Sequence, residues 1–120
     1  MEKITLSIYV PCYNEEENIT NTLINIKKAI QDITYEILIV DDDSKDKTVE
    51  LAKKFKNENL DINIKIFENN INKGIGSNFY STAQKATGKY YMLINGDACD
   101  PHNEIQKIVK NIGKAEIILT

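Results

Sequence analysis

Hydrophobic and polar positions along this chain alternate between two periods. Ile4 to Val10 is rich in β-branched residues and predicts a strand stopped by Pro11. Glu15 to Gln31 places Ile19, Leu23, Ile26 and Ile30 at helical spacing, with Asn14 and Glu17 reading as a cap and its partner. Tyr35 to Asp41 is almost wholly apolar, as a strand buried on both faces should be. Asp46 to Lys56 predicts a second helix burying Val49, Ala52 and Phe55, with Asp46 as its N-cap. Ile62 to Phe67 alternates as a strand, Gly76 to Thr87 reads as a short helix ended by Gly88, and Tyr90 to Asn95 as an apolar strand. His102 to Ile112, stopped by Gly113, and Glu116 to Leu119 complete a β-α-β-α-β-α-β-α-β order. That order predicts one α/β domain over residues 1–120, an open parallel sheet with helices on both faces and right-handed crossovers. Ligands of such sheets sit beyond the carboxyl ends of the strands. The segments to read for chemistry are therefore Pro11 to Glu17, Asp41 to Asp46, Asn69 to Asn78 and Asn95 to Asp100.

Composition narrows the class without changing this picture. The chain has 120 residues, 42% hydrophobic and 28% charged, which suits one folded domain and excludes low-complexity or strongly disordered readings. A net charge of −3 argues against a nucleic-acid partner, which would require a dense basic surface. The apolar run Tyr35 to Val40, broken by Glu36, is too short to span a bilayer, and Met1-Glu2-Lys3 does not open a signal peptide. A cytoplasmic location is the expectation, with Cys12 and Cys99 as reduced thiols. All fifteen basic residues are lysines. Any bound anion must then be met by lysine, backbone N–H groups or a metal, never by a guanidinium fork.

Three segments carry candidate chemistry. Asp41-Asp42-Asp43 ends the second strand; three adjacent carboxylates repel, although helix capping by Ser44 and Asp46 is the plainer account of them. Asn95-Gly96-Asp97 ends the fourth, where Gly96 permits a close approach and Asp97 offers the hard oxygen ligand that Mg²⁺ or Mn²⁺ takes beside a diphosphate; the same tripeptide also serves in ordinary turns. Asn72-Lys73-Gly74-Ile75-Gly76 opens a helix with N–H groups and a lysine suited to an anion, without forming a Walker A loop or a dinucleotide fingerprint.

Read in order, Val10-Pro11-Cys12-Tyr13-Asn14-Glu15-Glu16-Glu17-Asn18-Ile19, Ile39 to Thr48, the Asn72 to Gly76 loop running into Ala86-Thr87-Gly88-Lys89-Tyr90, and Leu93-Ile94-Asn95-Gly96-Asp97 resemble the motifs of glycosyltransferase family 2, with the GT-A fold. The Pro-x-Tyr-Asn-Glu stretch and Gly-Ile-Gly-Ser look closest to the dolichol- and polyprenyl-phosphate sugar synthase branch. The resemblance implies a sheet order 3-2-1-4 with a fifth strand at the C-terminus. It also implies a UDP- or GDP-sugar donor, Mg²⁺ or Mn²⁺, and inverting transfer to a polysaccharide, polyprenyl phosphate or glycan. Pro11, Tyr13 and Glu15 would line the nucleoside pocket, Asp42 would accept from the base, and Asp41 would order the pocket or the ribose. Lys73 would approach the diphosphate, Asn95 the ribose or a metal-bound water, and Asp97 the cation.

Asn95 replaces the first acid of the family's Asp-x-Asp, and the Cys99 position often holds a glutamine in the polyprenyl-phosphate branch. No segment here matches the family's general base or acceptor site. The expectation is accordingly the N-terminal, donor-binding part of a longer transferase, with any membrane association carried by further C-terminal segments. The open edge at Glu116 to Thr120 leaves room for a second copy. Two other readings stand beside it: a non-catalytic donor-binding module, and a receiver-like signalling domain, which the placement of the acids after the second strand disfavours. With sheet order 3-2-1-4 the ends of the strands bearing Cys12 and Cys99 would be neighbours. A soft-metal site there with Asp97 and His102 is the lesser reading, His102 being read as a first-turn helix residue.

Overall fold

The computed structural model describes residues 3–95 and the backbone of strand 117–119. Strands β1 (Leu6–Cys12), β2 (Tyr35–Asp42), β3 (Asn63–Asn69), β4 (Tyr90–Leu93) and β5 (Ile117–Leu119) alternate with helices α1 (Ile19–Ala29), α2 (Thr48–Glu58) and α3 (Ile75–Ala83), β4 and β5 being separated by residues outside the description. The sheet is parallel, in the order β3-β2-β1-β4-β5. Because β1 lies between β2 and β4, the receiver arrangement, in which the third strand borders the first, is ruled out. The expected helix at His102 to Ile112 falls outside the described residues, as do Cys99 and His102.

Side-chain alternation assigns each strand residue to one of two layers. Leu6, Ile8, Val10, Ile37, Ile39, Ile64 and Met92 face α1 and α2, where Ile19, Leu23, Ile26, Ala52 and Phe55 complete the main core. Tyr9, Val40, Tyr91 and Leu93 face the other way and pack with Phe67, Phe79 and Ala86 under α3. Helices therefore cover both faces.

Four local expectations are corrected. The first strand does not stop at Pro11; Pro11 pairs with Val40 inside β1. Tyr9 O accepts from Ile94 N–H, so the backbone groups of Tyr9 and, two residues on, Pro11 point toward β4. The β4 ladder ends at Tyr9 opposite Leu93, so the missing proline N–H interrupts no bond. Asn14 is not a helix cap: it has φ 52° in the loop, and α1 begins only at Ile19. Asp46 precedes α2 rather than opening it, and caps it from two residues upstream by accepting the Thr48 N–H at 3.0 Å. Gly88 does not end α3, which stops at Ala83. It lies against β1 instead, where a Cβ would come within 2.7 Å of Ser7 N and Oγ.

Candidate functional site

At the carboxyl ends of β1, β2 and β4 a cavity of about 180 Å³ is lined by Pro11, Cys12, Tyr13, Glu15, Asp42, Ile75, Asn78 and Asn95. Five residues singled out from the sequence thus meet around one space: Pro11, Tyr13, Glu15, Asp42 and Asn95. A larger groove of about 1110 Å³ opens at the opposite end of the sheet, between the C-terminal turns of α1 and α2. The smaller cavity is the candidate, because strand carboxyl ends and convergent polar groups of the described residues coincide there.

Two loops are locked together to form one wall. The Asn14 N–H donates to Ser44 Oγ at 2.8 Å, and Asn14 Oδ1 accepts the Lys45 N–H at 2.8 Å. Beside this pair the Glu15 N–H donates to Thr48 Oγ1 at 2.8 Å, and the Glu16 N–H to Asp46 Oδ2 at 3.2 Å. The left-handed backbone at Asn14, a conformation asparagine tolerates, turns the chain so that both bonds close. Tyr13 is left half exposed at the rim.

The neighbouring acids Asp41 and Asp42 part company because successive strand residues face opposite ways. Asp41 lies on the α1 and α2 side, buried, with Oδ2 accepting the Ser44 N–H at 3.1 Å and Oδ1 without a hydrogen bond among the described residues. Asp42 lies on the α3 side, where it gathers the loop before that helix. Its Oδ1 accepts from the Lys73 N–H at 2.8 Å and Asn69 Nδ2 at 3.1 Å, its Oδ2 from the Gly74 N–H at 2.8 Å. Burial pushes the Asp42 carboxyl up, but these hydrogen bonds, with the Asn78 amide, outweigh it and hold the carboxyl below its ordinary value. Lys73 is brought to the site by its backbone, and its side chain is exposed. Asp97 lies outside the described residues. Among those described, no cluster of three His, Cys, Asp or Glu side chains could hold a metal ion.

Several contributors carried no sequence signal. Tyr9 is fully buried beneath the cavity and donates its hydroxyl to Ile75 O at 3.2 Å, so β1 holds the first residue of α3. Asn69 bridges Asp42 and Asn78, donating to Asn78 Oδ1 at 3.0 Å. Cys12 lines the cavity as an inert thiol, its pKa pushed up by burial first and then by Asp41, Glu15 and Asp46.

An order β3-β2-β1-β4-β5 with a polar cavity over the ends of β1, β2 and β4 is the arrangement of an α/β domain of the GT-A type. Comparison with known proteins agrees. The model of the family described as glycosyl transferase family 2 matches residues 7–119, and the chain belongs to that family. The dolichol-phosphate mannosyltransferase of Pyrococcus furiosus is 31% identical over 107 residues, 89% of this chain and 30% of that protein. The dolichyl-phosphate beta-glucosyltransferase of Saccharomyces cerevisiae is 30% identical over 121 residues, 96% of this chain and 36% of that protein. The chain thus spans about a third of the length of these curated relatives. Among solved structures, Staphylococcus aureus TarS in complex with UDP aligns with TM-score 0.69 and 30% identity over 78% of this chain and 28% of that one. The mannosyltransferase PcManGT of Pyrobaculum calidifontis, in complex with GDP-Man and Mn²⁺, shares the fold with TM-score 0.72 at 24% identity, over 81% of this chain and 28% of that one.

Proposed function

We propose that this chain is the donor-binding part of an inverting glycosyltransferase that takes a UDP- or GDP-sugar for transfer to a polyprenyl phosphate, polysaccharide or glycan. The observation that carries the reading is the meeting of Pro11, Tyr13, Glu15, Asp42 and Asn95 around one cavity at the strand carboxyl ends. Tyr13 presents a half-exposed ring for stacking, and Asp42, held ionised by its hydrogen bonds, is an acceptor for a base N–H. Asn95, on the cavity wall, would meet the ribose, Asp41 keeps the Ser44 turn in place, and the exposed Lys73 ammonium would meet the diphosphate. Asp97, two residues beyond Asn95 in the sequence, would supply the carboxylate for Mg²⁺ or Mn²⁺. A bound cation would neutralise charge developing on the leaving diphosphate. The relatives named for dolichol phosphate substrates, and the neighbours bound to UDP or GDP-Man, support this reading.

A second reading, a donor-binding module without transfer activity, is favoured by Asn95, whose amide lacks the charge of a carboxylate beside a cation. Calorimetric titration of UDP and GDP with and without Mn²⁺, on the protein and on Asp97→Ala, separates the two. Mn²⁺-dependent binding lost in the variant is expected. Binding that ignores both Mn²⁺ and the variant would favour the module without transfer activity, and no binding by the folded protein would overturn the donor reading.

A further inference from the structure

The acceptor places of the Asp42 carboxylate are taken from within the chain. A carboxylate has about four such places, two on each oxygen. The Lys73 N–H and Asn69 Nδ2 meet Oδ1 at 2.8 and 3.1 Å, the Gly74 N–H meets Oδ2 at 2.8 Å, and the Asn78 side-chain amide is the fourth donor. Asp42 and Asn78 are both buried, so these bonds are made away from bulk water. The four donors are not equally replaceable. Two are backbone groups of the loop that enters α3, and Asn69 is held twice, since it also donates to Asn78 Oδ1 at 3.0 Å. Of the four donor residues Asn78 alone lines the cavity, beside Asp42.

A base N–H that enters the cavity therefore reaches the carboxylate only by taking over a place already in use. We propose that Asn78 holds the place a base N–H would take, and that the base binds by exchanging its N–H for the Asn78 amide on Asp42; the proposal rests on the donor-site reading above. Uracil and guanine both carry a ring N–H that can make this exchange. The exchange keeps the number of hydrogen bonds to a buried carboxylate constant, so the charge is never left short of a donor. Its cost is the bond that Asn78 gives up. Apparent affinity is lowered by the fraction of molecules in which Asn78 occupies the place, as for any site whose binding-competent state is only partly populated. Asn78 is thus a competitor of the base built into α3, and it sets how tightly a nucleotide is held without touching the phosphates.

The test is calorimetric titration of UDP and GDP with Mn²⁺, and of inorganic pyrophosphate as a ligand without a base, into the protein and into Asn78→Ala. Removing the competing amide is expected to tighten binding of whichever nucleotide the protein takes by at least about threefold, in the range that one net hydrogen bond is worth. Pyrophosphate affinity should not change. General loosening of the site would weaken nucleotide binding instead. Unchanged or weaker nucleotide binding in the folded variant, or an equal gain for pyrophosphate, overturns the exchange and leaves the donor site standing. Binding of neither nucleotide by either folded protein overturns the donor site and the exchange together. A second measurement does not depend on the variant. In ¹⁵N–¹H spectra of the unmodified protein, saturation with the nucleotide should shift the Asn78 side-chain amide upfield, as for a proton that leaves a carboxylate, and an Asn78 amide signal that stays in place overturns the exchange.

Discussion

Glu36 and Thr87, 51 residues apart, meet on the α3 face of the sheet: Glu36 Oε2 accepts the Thr87 N–H at 2.7 Å and its hydroxyl at 2.9 Å. The same oxygen accepts from Ser7 Oγ at 2.6 Å, and Oε1 lies 3.3 Å from Lys65 Nζ. One fully buried carboxylate thus ties β1, β2, β3 and the turn before β4, the strand that leads to Asn95. Burial pushes the Glu36 carboxyl up. The Ser7 hydroxyl, both Thr87 donors and Lys65 outweigh it and hold it below the ordinary carboxylate range. Glu36→Ala leaves three donors without their acceptor and should cost about 3 kcal/mol or more. Glu36→Gln, which keeps the shape but loses the charge, should cost about 1–2 kcal/mol, both measured by urea unfolding.

The same carboxylate predicts an acid limb to stability. A group whose folded pKa lies below its unfolded value contributes stability that is fully present above the unfolded pKa and lost as pH falls through the folded one. Glu36, Asp42 and Asp46 are all lowered in the fold. Unfolding free energy should therefore be level with respect to these groups above about pH 5 and fall steadily below about pH 4. Glu36→Gln removes one of the three, so its curve should fall less steeply there; parallel curves for the two proteins would contradict the assignment.

Gly88 completes the same knot from the other side, its N–H donating to Ser7 Oγ at 2.8 Å. There is no room for a methyl group against the Ser7 backbone. Gly88→Ala should destabilise the protein by about 2 kcal/mol through forced separation of β1 and the turn. Gly76→Ala, where a Cβ meets nothing within 4 Å, should be neutral or slightly stabilising. Equal unfolding midpoints for the two variants would refute the close approach at Gly88.

What could be read from the sequence follows the strength of local signals. The apolar run of β2 was legible to within one residue, because a strand buried on both faces has no polar positions to blur it. Pro11 misled, since whether a missing N–H matters depends on the length of β4, which is not local to it. Asn14 looked like a cap because the residue type suits one, but its partners, Ser44 and Lys45, lie about 30 residues away. The loops that bring Pro11, Tyr13, Glu15, Asp42 and Asn95 together were legible because strand ends converge, whereas the individual residues were legible only through the resemblance to the family. Asn69 and Asn78 were not, since a loop or helix asparagine means something only once Asp42 stands beside it. The separation of Asp41 from Asp42 was implicit in the period of a strand, yet needed the strand to run on to Asp42.

The lock between the two loops makes Asn14 a positioning residue for Tyr13. Asn14→Ala loses the acceptor for the Lys45 N–H and puts alanine, which tolerates the left-handed region less well than asparagine, at φ 52°, so it should cost about 1–2 kcal/mol. Asn14→Gly relieves the backbone term and keeps only the loss of the bond. If the loop serves the cavity, UDP affinity should fall in both variants in step with the lost bond, while stability falls further in Asn14→Ala. Affinity that tracks stability alone would mean that the lock is structural and does not set Tyr13.

Lys73 separates backbone from side-chain roles within one residue. Its N–H is committed to Asp42, and any substitution other than proline preserves that bond. Its exposed ammonium is free to meet a phosphate, and with no arginine in the chain it is the cation the helix-entry loop provides. Lys73→Ala should therefore leave the fold and the base contact intact and weaken only the phosphate term. UDP affinity is expected to fall several-fold at low salt, with the loss shrinking as ionic strength rises, because an exposed charge is screened. Uridine, which has no phosphate, should bind the variant as it binds the parent protein. Measuring UDP and uridine on both proteins at two salt concentrations makes the outcome decisive. An equal loss for the two ligands would mean that the loop itself had moved, and no loss for either would remove Lys73 from the diphosphate.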